Sequence, residues 1–151
     1  MVSRLGNRLC RTVVYLAACF STAPATATTL ITVKEARLPP DTSRTRGGIE
    51  WGPDIIPIYP AVKSGAIQSP FDFRVRFKAH GNATIDLDSV IVIYKRDPPI
   101  DLTARLRPFV KSDGIDMPDA EVPAGRHRIV IFVEDSVGRK GLADILFDVQ
   151  E

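Results

Sequence analysis

Eight residues, Phe71 to Lys78, alternate without a break: Phe71, Phe73, Val75 and Phe77 against Asp72, Arg74, Arg76 and Lys78. Side chains on an extended chain point to opposite faces at successive positions. Period-two alternation of this kind is the mark of a strand with one face in a core and the other in water. Burying the four apolar side chains is worth roughly 6–12 kcal/mol, at about 1.5–3 kcal/mol each. A slip of one residue would bury four charges in their place, so the register is fixed.

The rest of the chain points the same way. Twelve prolines are present, and 11 of them follow residue 28, spaced so that few windows could hold a helix of three turns. Extended segments recur at the spacing of a sandwich. Asp54–Tyr59, "DIIPIY", is a short strand that Pro57 confines to an edge or bulge. Ser89–Lys95 is β-branched and apolar on both faces, and Arg126–Glu134 and Asp144–Val149 close the chain. Asp101–Leu106 and Ile115–Ala120 are candidates for further short strands. "TLITVKE", Thr29–Glu35, reads as a strand at a sheet edge or as a tether. Arg37–Gly52 is the longest irregular stretch, and a loop of that length is usually functional or disordered.

The N-terminus reads as a secretory leader over residues 1–27. Arg4, Arg8 and Arg11 form a basic start, Thr12 to Phe20 an apolar run, and Ala25-Thr26-Ala27 a small-residue end. Nine apolar residues are too few to cross a bilayer, which takes about 20. Cleavage after Ala27 implies soluble export to the periplasm or beyond. The alternative is a lipobox, Leu16-Ala17-Ala18-Cys19, which would make Cys19 a lipidated N-terminus with the following residues as tether. Both cysteines, Cys10 and Cys19, lie in the leader, so the domain carries no disulfide framework. Three of the 20 basic residues and none of the 18 acids fall there, leaving 17 against 18. Near-neutral mixed charge argues against nucleic acid as a partner, and leaves the membrane only through a lipid anchor.

"PAGRHRIVIFVEDSVGR" resembles the closing part of immunoglobulin-like domains in bacterial exported proteins. In these a Pro-x-Gly turn, here Pro123 and Gly125, enters the penultimate strand. An Asp ends it, and an Asp-x-x-Gly turn, here Asp135 and Gly138, leads to a last strand, here "ADILFDV". "SPFDFRVRF" resembles the second strand of such domains. The resemblance spans residues 53–150 and implies an all-β, immunoglobulin-like antiparallel sandwich of about seven strands, of fibronectin or cadherin type. It departs from antibody domains, which need an inter-sheet cysteine pair and a tryptophan in the third strand; Trp51 precedes the strands. The expected organisation is a leader (1–27), an N-terminal strand or tether and loop (28–52), and the sandwich (53–151).

That fold hosts many functions. If its topology holds, residues 89–95, 126–134 and 144–149 are neighbours in one sheet. Each is apolar on both sides, which leaves Ile91, Ile93, Val130, Phe132 and Leu146 on an outer face. A contiguous apolar patch is rarely left uncovered on a monomer. Its expected cover is Thr29–Glu35 or the loop around Trp51, a second copy of the chain, or a foreign protein or glycan. Trp51, in "RGGIEWGP", is the best candidate for a sugar platform, with Tyr59 and Tyr94 the other tyrosines of the domain.

Catalytic patterns are absent: there is no Gly-x-Ser-x-Gly, phosphate loop or His-Glu-x-x-His. His80 and His127 would make a metal pair only if the fold brought them together. Asp113, Asp116, Asp119 and Glu121 could serve glycoside hydrolysis in the right geometry, and they or Asp86 and Asp88 could hold calcium. Ordinary turn acids are the simpler reading. The sequence thus implies an exported, non-catalytic binding or interaction module with no cofactor. A carbohydrate-binding accessory domain and a small exported hydrolase are the alternatives.

Overall fold

The computed structural model describes residues 27–43, 51–61 and 65–150. Residues 1–26, which hold most of the expected leader and Cys19, and residues 44–50 of the long loop lie outside the described residues. In chain order the elements are β1 (Thr28–Thr29), a helical turn α1 (Val33–Ala36), β2 (Asp54–Tyr59), β3 (Ile67–Gln68), β4 (Phe71–Lys78), β5 (Ile85–Tyr94) and β6 (Ile100–Asp101). A second helical turn, α2 (Thr103–Leu106), follows, and then β7 (Val110–Lys111), β8 (Gly114–Glu121), β9 (Gly125–Asp135) and β10 (Lys140–Gln150).

Two sheets form. One has the order β1-β8-β4-β2, with β7 paired to β8; the other has the order β3-β10-β9-β5-β6. The long pairs are antiparallel, while the two-residue strands β1 and β3 lie parallel at sheet edges. The alternation in β4 is realised residue by residue: Phe71, Phe73, Val75 and Phe77 are buried. They meet Val90, Val92 and Tyr94 of β5, Ile129, Ile131 and Val133 of β9, and Ile145, Phe147 and Val149 of β10 in a single core. The three expected neighbours, β5, β9 and β10, do share a sheet, and β4 belongs to the other.

Thr29–Glu35 departs from the expected strand. Only Thr28 and Thr29 pair, with Ala120 and Glu121 of β8. Leu30 and Ile31 then turn inward and join the core, their N–H groups donating to the Glu121 carbonyl. Thr32 caps α1 in a reciprocal box with Glu35. This segment therefore plugs the space between the sheets and does not cover an outer face. Asp101–Leu106 also differs: after β6 the chain enters α2, which buries Leu106, with Leu102 buried just before it. The Asp101 side chain accepts from the Thr103 N–H at 2.7 Å, which favours a turn there over continued pairing.

The sheets are drawn together where residues 52–53 enter β2 beside the start of β10. A Cβ on Gly52 would overlap the Lys140 carbonyl, and one on Gly141 the Pro53 carbonyl. Only glycine permits this approach of two backbones.

Candidate binding face

Residue parity in β5, β9 and β10 fixes which side chains face away from the core. Register places Ile91, Phe132 and Leu142 in one row across the three strands, and Ile93, Val130 and Asp144 in the next. Arg128 and Leu146 stand opposite each other one row further on. Rows two residues apart are separated by about 7 Å along a strand.

Exposure is uneven within this face. Ile91 and Leu146 are 46% and 50% exposed, whereas Ile93, Phe132 and Leu142 are half-buried. Val130 contradicts the expectation of a solvent-facing side chain, being only 1% exposed. The physical reason lies beside it. Arg128 reaches Asp144, the residue opposite Val130, with Nε–Oδ1 at 2.9 Å. It also donates to the Ser43 carbonyl at 2.9 Å and to that of Asp41. Lys95 pairs with the Asp41 carboxylate, and Pro40 bridges to Arg96. The incoming chain is thus tied to the outer face at the level of Lys95 and Arg128, one row from Val130. The carboxylate of Asp144 holds Arg128 more firmly in its charged form. The same kind of contact, Lys95 first and then Ser43, pulls the Asp41 carboxyl far below its ordinary range.

Trp51 is 86% exposed. Its neighbour Gly52 abuts Lys140, so the indole is attached at the β10 end nearest the Ile91–Phe132–Leu142 row. Two features that the sequence presents separately therefore lie toward the same end of β10. The tyrosines do not join them: Tyr94 is fully buried, and Tyr59 lies edge-on to Phe71 at 5.9 Å across the molecule on β2. Leu142 lies outside the expected closing strand, Asp144–Val149. Continuing its alternation backwards by two residues finds it.

The remaining candidates are dispersed. His80 lies 3.2 Å from Asp54, and His127 is buried against Tyr94; the fold does not make them a pair. Asp116 is held by Arg74 at 3.0 Å and by Lys111. Glu121 accepts from Thr29, and the Asp119 N–H is satisfied by Asp72. Asp86 accepts from the Asp88 N–H two residues on. Among the described residues no group of three or more His, Cys, Asp or Glu side chains could hold a metal ion. No helix among them is long and apolar enough to cross a membrane.

No family model, curated protein or solved structure matches this chain.

Proposed function

We propose that the chain is an exported, non-catalytic binding module of immunoglobulin-like topology, and that it docks a partner protein on the outer face of the β5–β9–β10 sheet. The strand order supports the fold assignment. An immunoglobulin sheet of order A-B-E-D corresponds to β2-β4-β8-β1 here, with the N-terminal β1 in the place of strand D, and C-F-G corresponds to β5-β9-β10. The export reading stands on the leader pattern.

The observation that carries the binding reading is the half-open apolar face. Ile91 and Leu146 project from rigid central strands, and they flank half-buried Ile93, Phe132 and Leu142 around a firmly paired Arg128–Asp144. Exposed apolar side chains beside polar groups that already have partners can be buried against another protein without leaving a polar group unpaired. Position-specific photo-cross-linking in cells tests it. A photoreactive residue at 146 or 91 should trap a discrete protein adduct, and one at Arg76, on the charged opposite sheet, should not. Equal yields at all three positions would remove the basis of the proposal.

The exposure of Trp51 favours one second reading, a glycan platform. In that case Trp51→Ala abolishes retention on polysaccharide while leaving the adducts at 146 intact.

A further inference from the structure

His127 is 1% exposed and belongs to no surface. Its ring stands between Tyr94 and Phe147, the latter stacked at 5.4 Å. Nε2 lies 2.8 Å from the Pro123 carbonyl. A carbonyl only accepts, so Nε2 carries the proton and Nδ1 of the neutral ring is an acceptor. Nδ1 lies 2.9 Å from the Tyr94 hydroxyl, and Arg96 Nε donates to that hydroxyl at 2.7 Å. Every donor then faces an acceptor in one direction: Arg96 to Tyr94, Tyr94 to His127, His127 to Pro123. Arg96 also donates to the Arg126 carbonyl at 2.9 Å.

Both ends of this relay adjoin the moorings of the N-terminal segment. At one end Pro40 bridges to Arg96, and the Asp97 N–H donates to the Pro39 carbonyl at 3.0 Å. At the other, Pro123 follows Glu121 and Val122, and the Glu121 carbonyl receives the N–H groups of Leu30 and Ile31. We propose that the Arg96–Tyr94–His127–Pro123 relay is an acid-sensitive latch that holds residues 28–43 on the sandwich.

A proton on Nδ1 reverses one link. The Tyr94 hydroxyl must then accept from both Arg96 and His127, and its own proton has no partner in a dry site, which is costly. Two cations also come to face each other. Of the three side chains in the relay Arg96 is the least buried, at 8% exposed against 0% for Tyr94 and 1% for His127, and it is the one that can leave, taking the Pro40 bridge with it.

The charged groups around the ring are few. Arg96, at the end of β5, opposes protonation. Asp148 of β10 favours it, but is engaged by Arg126 at 3.0 Å. Glu35 of α1 acts on Tyr94 and is itself clamped by Arg105. Burial is the largest influence on the ring and pushes its pKa below 6.5, against the pull of the Pro123 carbonyl. The unfolded chain takes up a proton near 6.5 and the folded chain resists it. Stability is therefore full above that pH and declines as the pH falls below it.

The test is an NMR titration of the expressed full chain, following histidine ring nitrogens and backbone amides between pH 7.5 and 5. The latch predicts the Nε2–H tautomer for His127 and proton uptake below pH 6.5. The amides of Leu30, Ile31 and Asp97 should lose protection at the same midpoint, while those of Ile129 and Ile145 stay protected. An Nδ1–H tautomer, uptake at or above 6.5, unmoved N-terminal amides, or loss of all amides together would overturn it. Two variants keep the outcome decisive. Arg96→Met should move the midpoint upward, and no movement or a downward one counts against the latch. His127→Phe keeps a ring between Tyr94 and Phe147 and should abolish the acid response of Leu30 and Ile31; persistence of that response refutes the assignment.

Discussion

Glu35 joins two distant parts of the chain through one carboxylate. It accepts from the backbone and hydroxyl of Thr32, both at 2.8 Å, and from both terminal nitrogens of Arg105 at 2.8 and 2.6 Å. Arg105 also donates to the Leu30 carbonyl at 2.9 Å. A bidentate, charge-assisted contact of this kind is among the stronger ones a protein makes. Truncating Arg105→Ala should cost about 2 kcal/mol, read as a fall in the urea midpoint. The Arg105 contact, ahead of the Thr32 ones, draws the Glu35 pKa from 4.5 down to about 2. A lowered carboxyl stabilises the fold fully above pH 4.5, and its contribution is lost as the pH falls from there toward 2. Glu35→Gln should flatten that limb of the stability curve and leave the limb near pH 6 in place. The Thr32-x-x-Glu35 spacing of the capping box can be seen in the sequence, but the clamp by Arg105 cannot. Glu35 and Arg105 are 70 residues apart, and an exposed Glu or Arg looks the same in a sequence as a clamped one.

At the scale of elements, the segments with strong periodicity were read correctly. β4 has four apolar residues on one side and four charges on the other, so only one face can be buried. β2 was found because Pro57 and its β-branched neighbours suit an edge strand, and it is one. β9 and β10 were found but drawn short, since charged ends such as Lys140 carry no strand signal. The misses were short. β3 is two residues, β1 is only the first edge of the segment expected to pair at a sheet edge, and α2 is a single turn whose one buried residue, Leu106, offers too few repeats to reveal a period. Parallel pairing of such fragments is imposed by the tertiary fold, not by local propensity. The approach of residues 52–53 to β10 gives a test at this scale. Gly141→Ala places a methyl group in the Pro53 carbonyl and must part the two backbones. We expect a loss of about 2 kcal/mol or more in denaturant unfolding, against less than about 0.5 kcal/mol for an alanine at exposed Lys140.

For the whole molecule, the sandwich divides its two outer faces between unlike chemistries. The β4–β8 side displays paired charges such as Arg74 with Asp72 and Asp116. The β5–β9–β10 side displays apolar side chains around a sheltered centre. The sequence made that contrast visible through strand parity, and located four of its five expected residues where solvent or half-solvent reaches them. It could not show that Asp41 and Ser43 would be drawn onto this face beside Val130, because that depends on Arg128 and Lys95 meeting a segment more than 50 residues away. The central claim is that this face binds a partner, and the double variant Ile91→Asp, Leu146→Asp tests it most directly. Both side chains are about half exposed, so the unfolding midpoint should stay within about 0.5 kcal/mol of wild type. Affinity for the protein trapped from position 146 should fall at least tenfold, as expected when apolar contacts are replaced by charges that binding would bury. An undiminished affinity in a variant of wild-type stability would contradict the assignment of this face.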